Sequence, residues 1–278
     1  MMRSMYAAVA GLRTHQIRMD VIGDNIANVN TPGFKRARAT FQDMFYQTLQ
    51  GGSAADATTG GTNPKQIGLG ISLGSIDVIH TQGASAPTGK GNDLMIQGEG
   101  FFVLSDTGDD TGNIYYTRAG NFIFNSEGDL VNSNGLYVLS TDGTKITVPV
   151  NAQNYSISSD GKVKYLDDNG LNESQVITIA KFSNPSGLLK VGQNLYVYDS
   201  AAGPEADGTD GTSGSPIGGP PGSAEGRGSI VAGALEMSNV ELAQEFTEMI
   251  ITQRGFQANA KTITTSDEML QELVNLKR

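Results

Sequence analysis

The sequence predicts an α+β protein. A long helix at each end of the chain pairs with the other as a coiled coil, and between them lies a central all-β domain of consecutive hairpins. Three observations predict it. Apolar residues recur at heptad spacing near both termini, short apolar runs alternate with glycine-containing turns through the middle, and small polar stretches separate these regions.

The N-terminal helix is carried by Met5, Val9, Leu12, Met19 and Ile26, with Gln16 and Gly23 on the same spacing. Asn28-Val29-Asn30-Thr31-Pro32-Gly33-Phe34 stops it, because Pro32 cannot continue a helix and holds Thr31 extended. The C-terminal seam runs through Leu242, Phe246, Met249, Phe256, Ala260, Ile263, Leu270 and Val274, broken only by Gln253 and Asp267. Ser238 and Glu241 have the spacing of a capping box, which predicts a helix from Asn239 to about Leu276, ~55 Å long at 1.5 Å per residue. So long a helix with so narrow a stripe needs a partner helix. Charge favours the other terminus: residues 1–48 carry six basic and three acidic side chains, residues 236–278 four basic and seven acidic. Exposed ion pairs are worth only about 0–1 kcal/mol each, so the apolar seam decides.

These features divide the chain into a terminal helical domain (1–30 and 236–278), connectors (31–65 and about 229–235) and a β domain (66–228). Within the first connector, Phe41–Leu49 suits a short helix or an extended arm, and Gly51–Asn63 is small and polar. The β domain shows runs such as Phe101–Leu104, Phe122–Phe124, Ile146–Val148 and Leu195–Tyr198. Its turns carry Glu127-Gly128, Asn134-Gly135, Asp142-Gly143 and Asp160-Gly161. Residues 201–228 are rich in Gly, Ser and Pro and are expected to form a mobile loop.

Composition narrows the function. The 278 residues carry a net charge of −10, which argues against nucleic acid and anionic membrane as partners. No cysteine is present, so neither disulfide nor thiolate chemistry is available. No run approaches the roughly 18 apolar residues of a membrane span, and the short stretch Met5–Leu12 lacks the form of a cleaved signal. His15 and His80, the two histidines, read as partly packed side chains. Asp109-Asp110 and Asp167-Asp168 sit in turns without calcium-loop spacing, and Gly68, Gly70 and Gly74 lack the spacing of a nucleotide loop. Asp93 and Glu99, beside glycines, suit strand and turn geometry. No catalytic residue, cofactor or metal site is expected.

The ends and middle resemble one family. Met2–Tyr6 and Leu12–Lys35, with Ala27, Asn28, Asn30, Thr31, Gly33, Phe34 and Lys35 in an ANxNTxGFK pattern, resemble the N-terminal motif of bacterial flagellar rod and hook axial proteins. The stretches NDLMIQGEGFFVL and YYTRAGNFIFNSEGDLVNSNGLYVL resemble that family's β-domain, and residues 233–278 its C-terminus. Thr40–Leu49 and the ending Leu273–Arg278 look more like hook proteins, of a short form without the extra outer domain. The resemblance implies a structural, non-enzymatic subunit of the hook, a flexible tubular joint that transmits motor torque to the filament, with the distal rod as the alternative. It implies a helical homopolymer and contacts with the distal rod, hook cap and hook–filament junction. It also implies passage through the type III export apparatus to an extracellular place in the flagellum, without membrane insertion.

Overall fold

A computed structural model of the chain describes residues 2–54, 60–149, 152, 154–167, 170–203, 218–222 and 226–276. It divides into two units. One comprises Met1–Ala27, Ala37–Val78 and Glu241–Arg278, the other Asn28–Arg36 and Ile79–Val240. Most of the loop expected at 201–228 lies outside the described residues.

The first unit is built on two helices, α1 (Met2–Ala27) and α2 (Leu242–Asn275). Their pairing is antiparallel: Arg18 bonds Glu248 and Asn25 bonds Glu245, while Gly11 faces Asn259 further along. The expected capping box does not form. Helix α2 begins three residues late, with Glu241 at its N-cap and no side-chain cap. The reason is Asn239. Its amide accepts from the Arg36 N–H (2.8 Å) and donates to the Ile79 (2.8 Å) and Thr81 (3.3 Å) carbonyls, holding the segment before the helix outside helical geometry. Ser238 Oγ instead accepts from the Val240 N–H at 3.3 Å.

The same unit holds a long antiparallel hairpin, Ala37–Val78, where the sequence suggested a connector up to residue 65 and the start of the β domain from residue 66. Strand β1 (Ala37–Asp43) pairs with β4 (Ile71–Val78), and β2 (Tyr46–Gln50) pairs with β3 (Lys65–Gly68). Bonds from Met44 to Gly70 and from Leu69 to Phe45 carry the ladder across the joint, and Ser53 bridges Thr62 near the tip. Phe41–Leu49 is thus the extended arm, not a helix. Polar and apolar residues alternate weakly there, which hid the strand period. Gly70 (φ +125°) brings the hairpin against α1, since a Cβ there would sit 3.3 Å from the Ala7 Cα.

The second unit is β-rich. Its main sheet runs in the order Leu189–Gly192, Leu195–Val197, Ile114–Thr117, Phe101–Ser105, Tyr137–Val138, Leu130–Asn132 and Phe122–Phe124; Ile179–Ala180 also pairs with Phe101–Ser105. Neighbouring hairpins account for part of this order, but Phe101–Ser105 pairs with Tyr137–Val138, and Leu94–Gln97 pairs with Ser229–Ala232 far along the chain. Consecutive hairpins alone therefore do not describe the sheet. The 229–235 connector expected from sequence supplies strand Ser229–Ala232 and the start of Ala234–Glu236, which closes on Ser85–Pro87. Both faces of Phe101–Ser105 are covered. Phe102 and Leu104 join a core with Leu94, Ile96 and Ile177, while Phe101 and Val103 join another with Tyr116, Phe182 and Tyr196. That double burial explains an unbroken apolar run where a one-sided strand would alternate.

Candidate assembly surface and its anchoring motif

The helices touch through small and polar residues rather than through the bulky seam. The buried positions of α1 are Ala8, Gly11, Thr14, Ile22 and Asn25; those of α2 are Glu245, Thr252 and Ser266. With Asn259, the α2 set keeps a seven-residue repeat, displaced by one residue from Phe246, Gln253, Ala260 and Asp267. The hydroxyls of Thr14, Thr252 and Ser266 bond carbonyls one turn back in their own helices at 2.7–2.8 Å, so each presents mainly carbon to the partner. A Cβ on Gly11 would lie 2.8 Å from Asn259, and one on Gly255 2.6 Å from the His15 ring.

Of the thirteen seam residues expected from sequence, none is fully buried. Met5, Leu12, Met19, Ile26, Met249, Ala260, Ile263 and Leu270 are half-buried, while Val9, Leu242, Phe246, Phe256 and Val274 are exposed. Heptad spacing marks neighbouring stripes on one helix, and side-chain volume selected the bulkier stripe. Close helix approach required the smaller one. The five exposed members of the bulky stripe instead join Tyr6, Ile250, Ile251, Met269 and Leu273 as exposed apolar side chains, with Phe246 at 49% exposure and Ile250 at 52%. The hairpin adds Phe45, Tyr46, Leu49 and Ile67, all exposed. So much apolar surface on helices and on a strand edge is the mark of an interaction face.

Sequence reasoning missed Asn25. This buried amide donates to the Ala37 carbonyl (2.8 Å) and accepts from the Ala37 N–H (2.9 Å), imitating a strand neighbour for the first residue of β1. It also donates to Glu245 Oε2 at 3.2 Å. Its signal was an amide next to Ile26, on a face shared with Ala8, Gly11, Thr14 and Ile22.

The family-like motif acts as an anchor. Helix α1 ends at Ala27, and Asn30 is exposed. Asn28 and Thr31 close a turn: the Thr31 hydroxyl donates to Asn28 Oδ1, and the Thr31 N–H to the Asn28 carbonyl, both at 3.1 Å. Gly33 has φ +70°, and a Cβ there would meet the Ala119 backbone at 2.6 Å, so the position excludes side chains. Phe34 is buried, with the Lys190 ammonium 4.0 Å from its ring centre. Lys35 is fully buried, bonding Glu236 Oε1 at 2.6 Å and the Thr81 carbonyl at 2.7 Å. The other Glu236 oxygen accepts from Arg118 Nη1 at 3.2 Å, and Oε1 also takes the Gly83 N–H at 2.9 Å. Lys35, Arg118 and Glu236 thus form a buried triad that ties the motif to the C-terminal strand.

His80 lies beside this triad. Burial pushes its pKa down to about 4, helped by the positive charges of Lys35, Arg118 and Lys190. An unfolded His80 takes a proton near 6.5 and the folded one only near 4, so the unfolded state binds more protons between those values. Stability is therefore lost as pH falls through that window. We expect His80→Leu to reduce the loss by roughly 2 kcal/mol between pH 7 and pH 4.5, measured by urea unfolding. Equal pH slopes in the two proteins would exclude His80 as the source. In the first unit, burial and Arg18 likewise lower the pKa of His15, which stacks edge-on against Phe41.

Three family models match the chain: the flagella basal body rod protein model over residues 5–35, the flagellar hook protein FlgE/F/G D1 domain over 95–165, and the C-terminal model of basal body rod FlgEFG proteins over 231–276. The flagellar basal-body rod protein FlgG of Bacillus subtilis is 52% identical over 285 residues, covering all of both chains. The rod protein FlgG of Borreliella burgdorferi is 38% identical over 285 residues, again end to end. The flagellar hook protein FlgE of the same organism is 30% identical, but over 457 aligned positions.

Proposed function

The chain belongs to the flagellar rod and hook family of axial proteins, structural parts of the bacterial flagellum, and from that premise we propose that it is a distal rod subunit of the basal body. One observation carries the choice of rod over hook. Rod proteins align end to end at nearly this chain's length, whereas hook proteins align over 457 and 479 positions against 278 residues here. The missing length, read from sequence as a short hook, fits a rod protein without any special form. In this reading the helix pair and the hairpin supply the faces on which successive copies stack into a straight tube, the bulky stripes of α1 and α2 closing between copies in coiled-coil fashion. Other axial proteins meet its two ends.

Electron microscopy of polymers grown from the purified full-length chain tests the assignment. Straight cylinders are expected. Tubes that curve on their own would overturn the rod reading in favour of the hook.

A further inference from the structure

Among the described residues, the triad carries one positive charge more than negative. Two buried cations, Lys35 and Arg118, share the single carboxylate of Glu236. Their remaining bonds go to the carbonyls of Thr81, Ile96 and Gly98, which carry no net charge. Arg118 is 4% exposed, yet its Nε–H has no hydrogen-bond partner among the described residues. The ring nitrogens of His80 have no side-chain partner among the described residues, and their one backbone interaction, with Pro185, is too poorly aligned to count as a full hydrogen bond. A buried, uncompensated cation with a free donor costs several kcal/mol unless something pairs with it.

Arg118 and His80 border one cavity of about 180 Å³, lined also by Glu99, Phe101, Lys181 and Ser183 among others. The volume far exceeds the ~30 Å³ of one water and falls short of the ~300 Å³ of an ordinary cofactor pocket. Glu99 is the acid among the described residues that line the space. Its side chain is 77% exposed and pairs with Lys181 at 2.9 Å; its charge also acts on Arg118, yet the described groups around the space stay net positive, with Lys35, Arg118, Lys181 and Lys190 against Glu99 and Glu236. Lys190 adds positive charge from the side of Phe34, and the Tyr196 hydroxyl, whose pKa burial raises to about 12, stays neutral. The Phe101 ring forms an apolar wall beneath the Arg118 guanidinium, 5.6 Å from its centre.

We propose that this cavity binds a small carboxylate or oxyanion, which pairs with Arg118 Nε–H, His80 and Lys181 and completes the buried charge cluster. A group the size of acetate or phosphate fits. Two sources share that chemistry: a free anion in solution, and an Asp or Glu side chain inserted by a second copy of the chain. The second source rests on the polymerising function above.

The test uses the full-length chain, dilute enough to stay monomeric, in a buffer free of small oxyanions. Sodium acetate and inorganic phosphate are titrated in separately while the ring nitrogens of His80 and the Nε–H of Arg118 are followed by NMR. Saturable shifts are expected at both groups, with none at His15 in the other unit. The bound anion adds negative charge among Lys35, Arg118, Lys190, Lys181, Glu99 and Glu236, so the His80 pKa should rise with anion concentration. Lys181→Met should weaken binding about tenfold, a loss typical of one charge-assisted bond, and it avoids the buried triad, so the fold is kept. Shifts that never saturate, or that are the same in Lys181→Met, overturn the proposal. Assembled protein separates the sources. If His80 shows the bound-state shift with no anion added, a neighbour's carboxylate fills the site; if it responds to acetate as the monomer does, the anion is free. An assembled His80 that keeps the unbound shift and ignores both anions overturns the site in the polymer as well.

Discussion

Glu236→Ala is expected to destabilise the β-rich unit by about 3–5 kcal/mol, because it strands Lys35 and Arg118 as buried charges without a counter-ion. Three further losses accompany it: the Gly83 N–H loses its acceptor, Lys35 keeps only the Thr81 carbonyl, and a cavity replaces the carboxyl. At about 2–4 °C per kcal/mol for a unit of this size, its melting transition should fall by roughly 6–20 °C. Two units need not unfold together, so calorimetry should follow the β-rich transition separately. Glu236→Gln keeps the shape and one acceptor and should lie between the two. Glu99→Ala removes an exposed pair with Lys181 and should cost less than about 1 kcal/mol. A Glu236→Ala loss as small as that of Glu99→Ala would mean that carbonyl dipoles alone satisfy both cations. The motif's conformation depends on the same contacts, because the Glu236 carbonyl also accepts the Gly33 N–H at 2.8 Å.

Terminal helices and a β-rich middle were legible because each rests on local periodicity. The stop after Ala27 was legible for the same reason: Pro32 and Gly33 constrain their own backbone. What was hidden depends on residues far apart in sequence. The late start of α2 could not be read from Ser238 and Glu241, since Asn239 spends its amide on Arg36, Ile79 and Thr81. Residues 37–65 looked like a connector, and 66–78 like the start of the β domain, because the hairpin's stabilising contacts come from α1 and from partners up to 41 residues away, as in the pairing of Ala37 with Val78. Lys35 was visible as part of a motif, but its burial against Glu236 spans 201 residues and leaves no local trace. The preference for rod over hook rests on length compared with relatives, which a single chain does not contain.

The exposed stripe of α2 yields the other large effect. Phe246→Asp should abolish polymerisation while leaving the monomer folded. Phe246 is 49% exposed in the single chain, so a carboxylate there stays in water and should change monomer stability by no more than about 0.5 kcal/mol. In an assembled tube the same carboxylate would be taken out of water without a partner, at a cost of several kcal/mol per copy repeated along the whole lattice. Phe256→Asp should act likewise, since that ring is also part of the exposed set. Asp267→Ala, at a position already polar, should be mild. Gly255→Val makes the opposite case: its side chain would collide with the His15 ring, forcing the two helices of one chain apart before any copy is added. Circular dichroism and exchange protection of α1 and α2 would then fall in Gly255→Val monomers and stay unchanged in Phe246→Asp monomers. Sedimentation and electron microscopy would read assembly in both. Normal polymers from Phe246→Asp would show that copies meet elsewhere, and would leave the hairpin face around Phe45, 84% exposed, as the surface to change next.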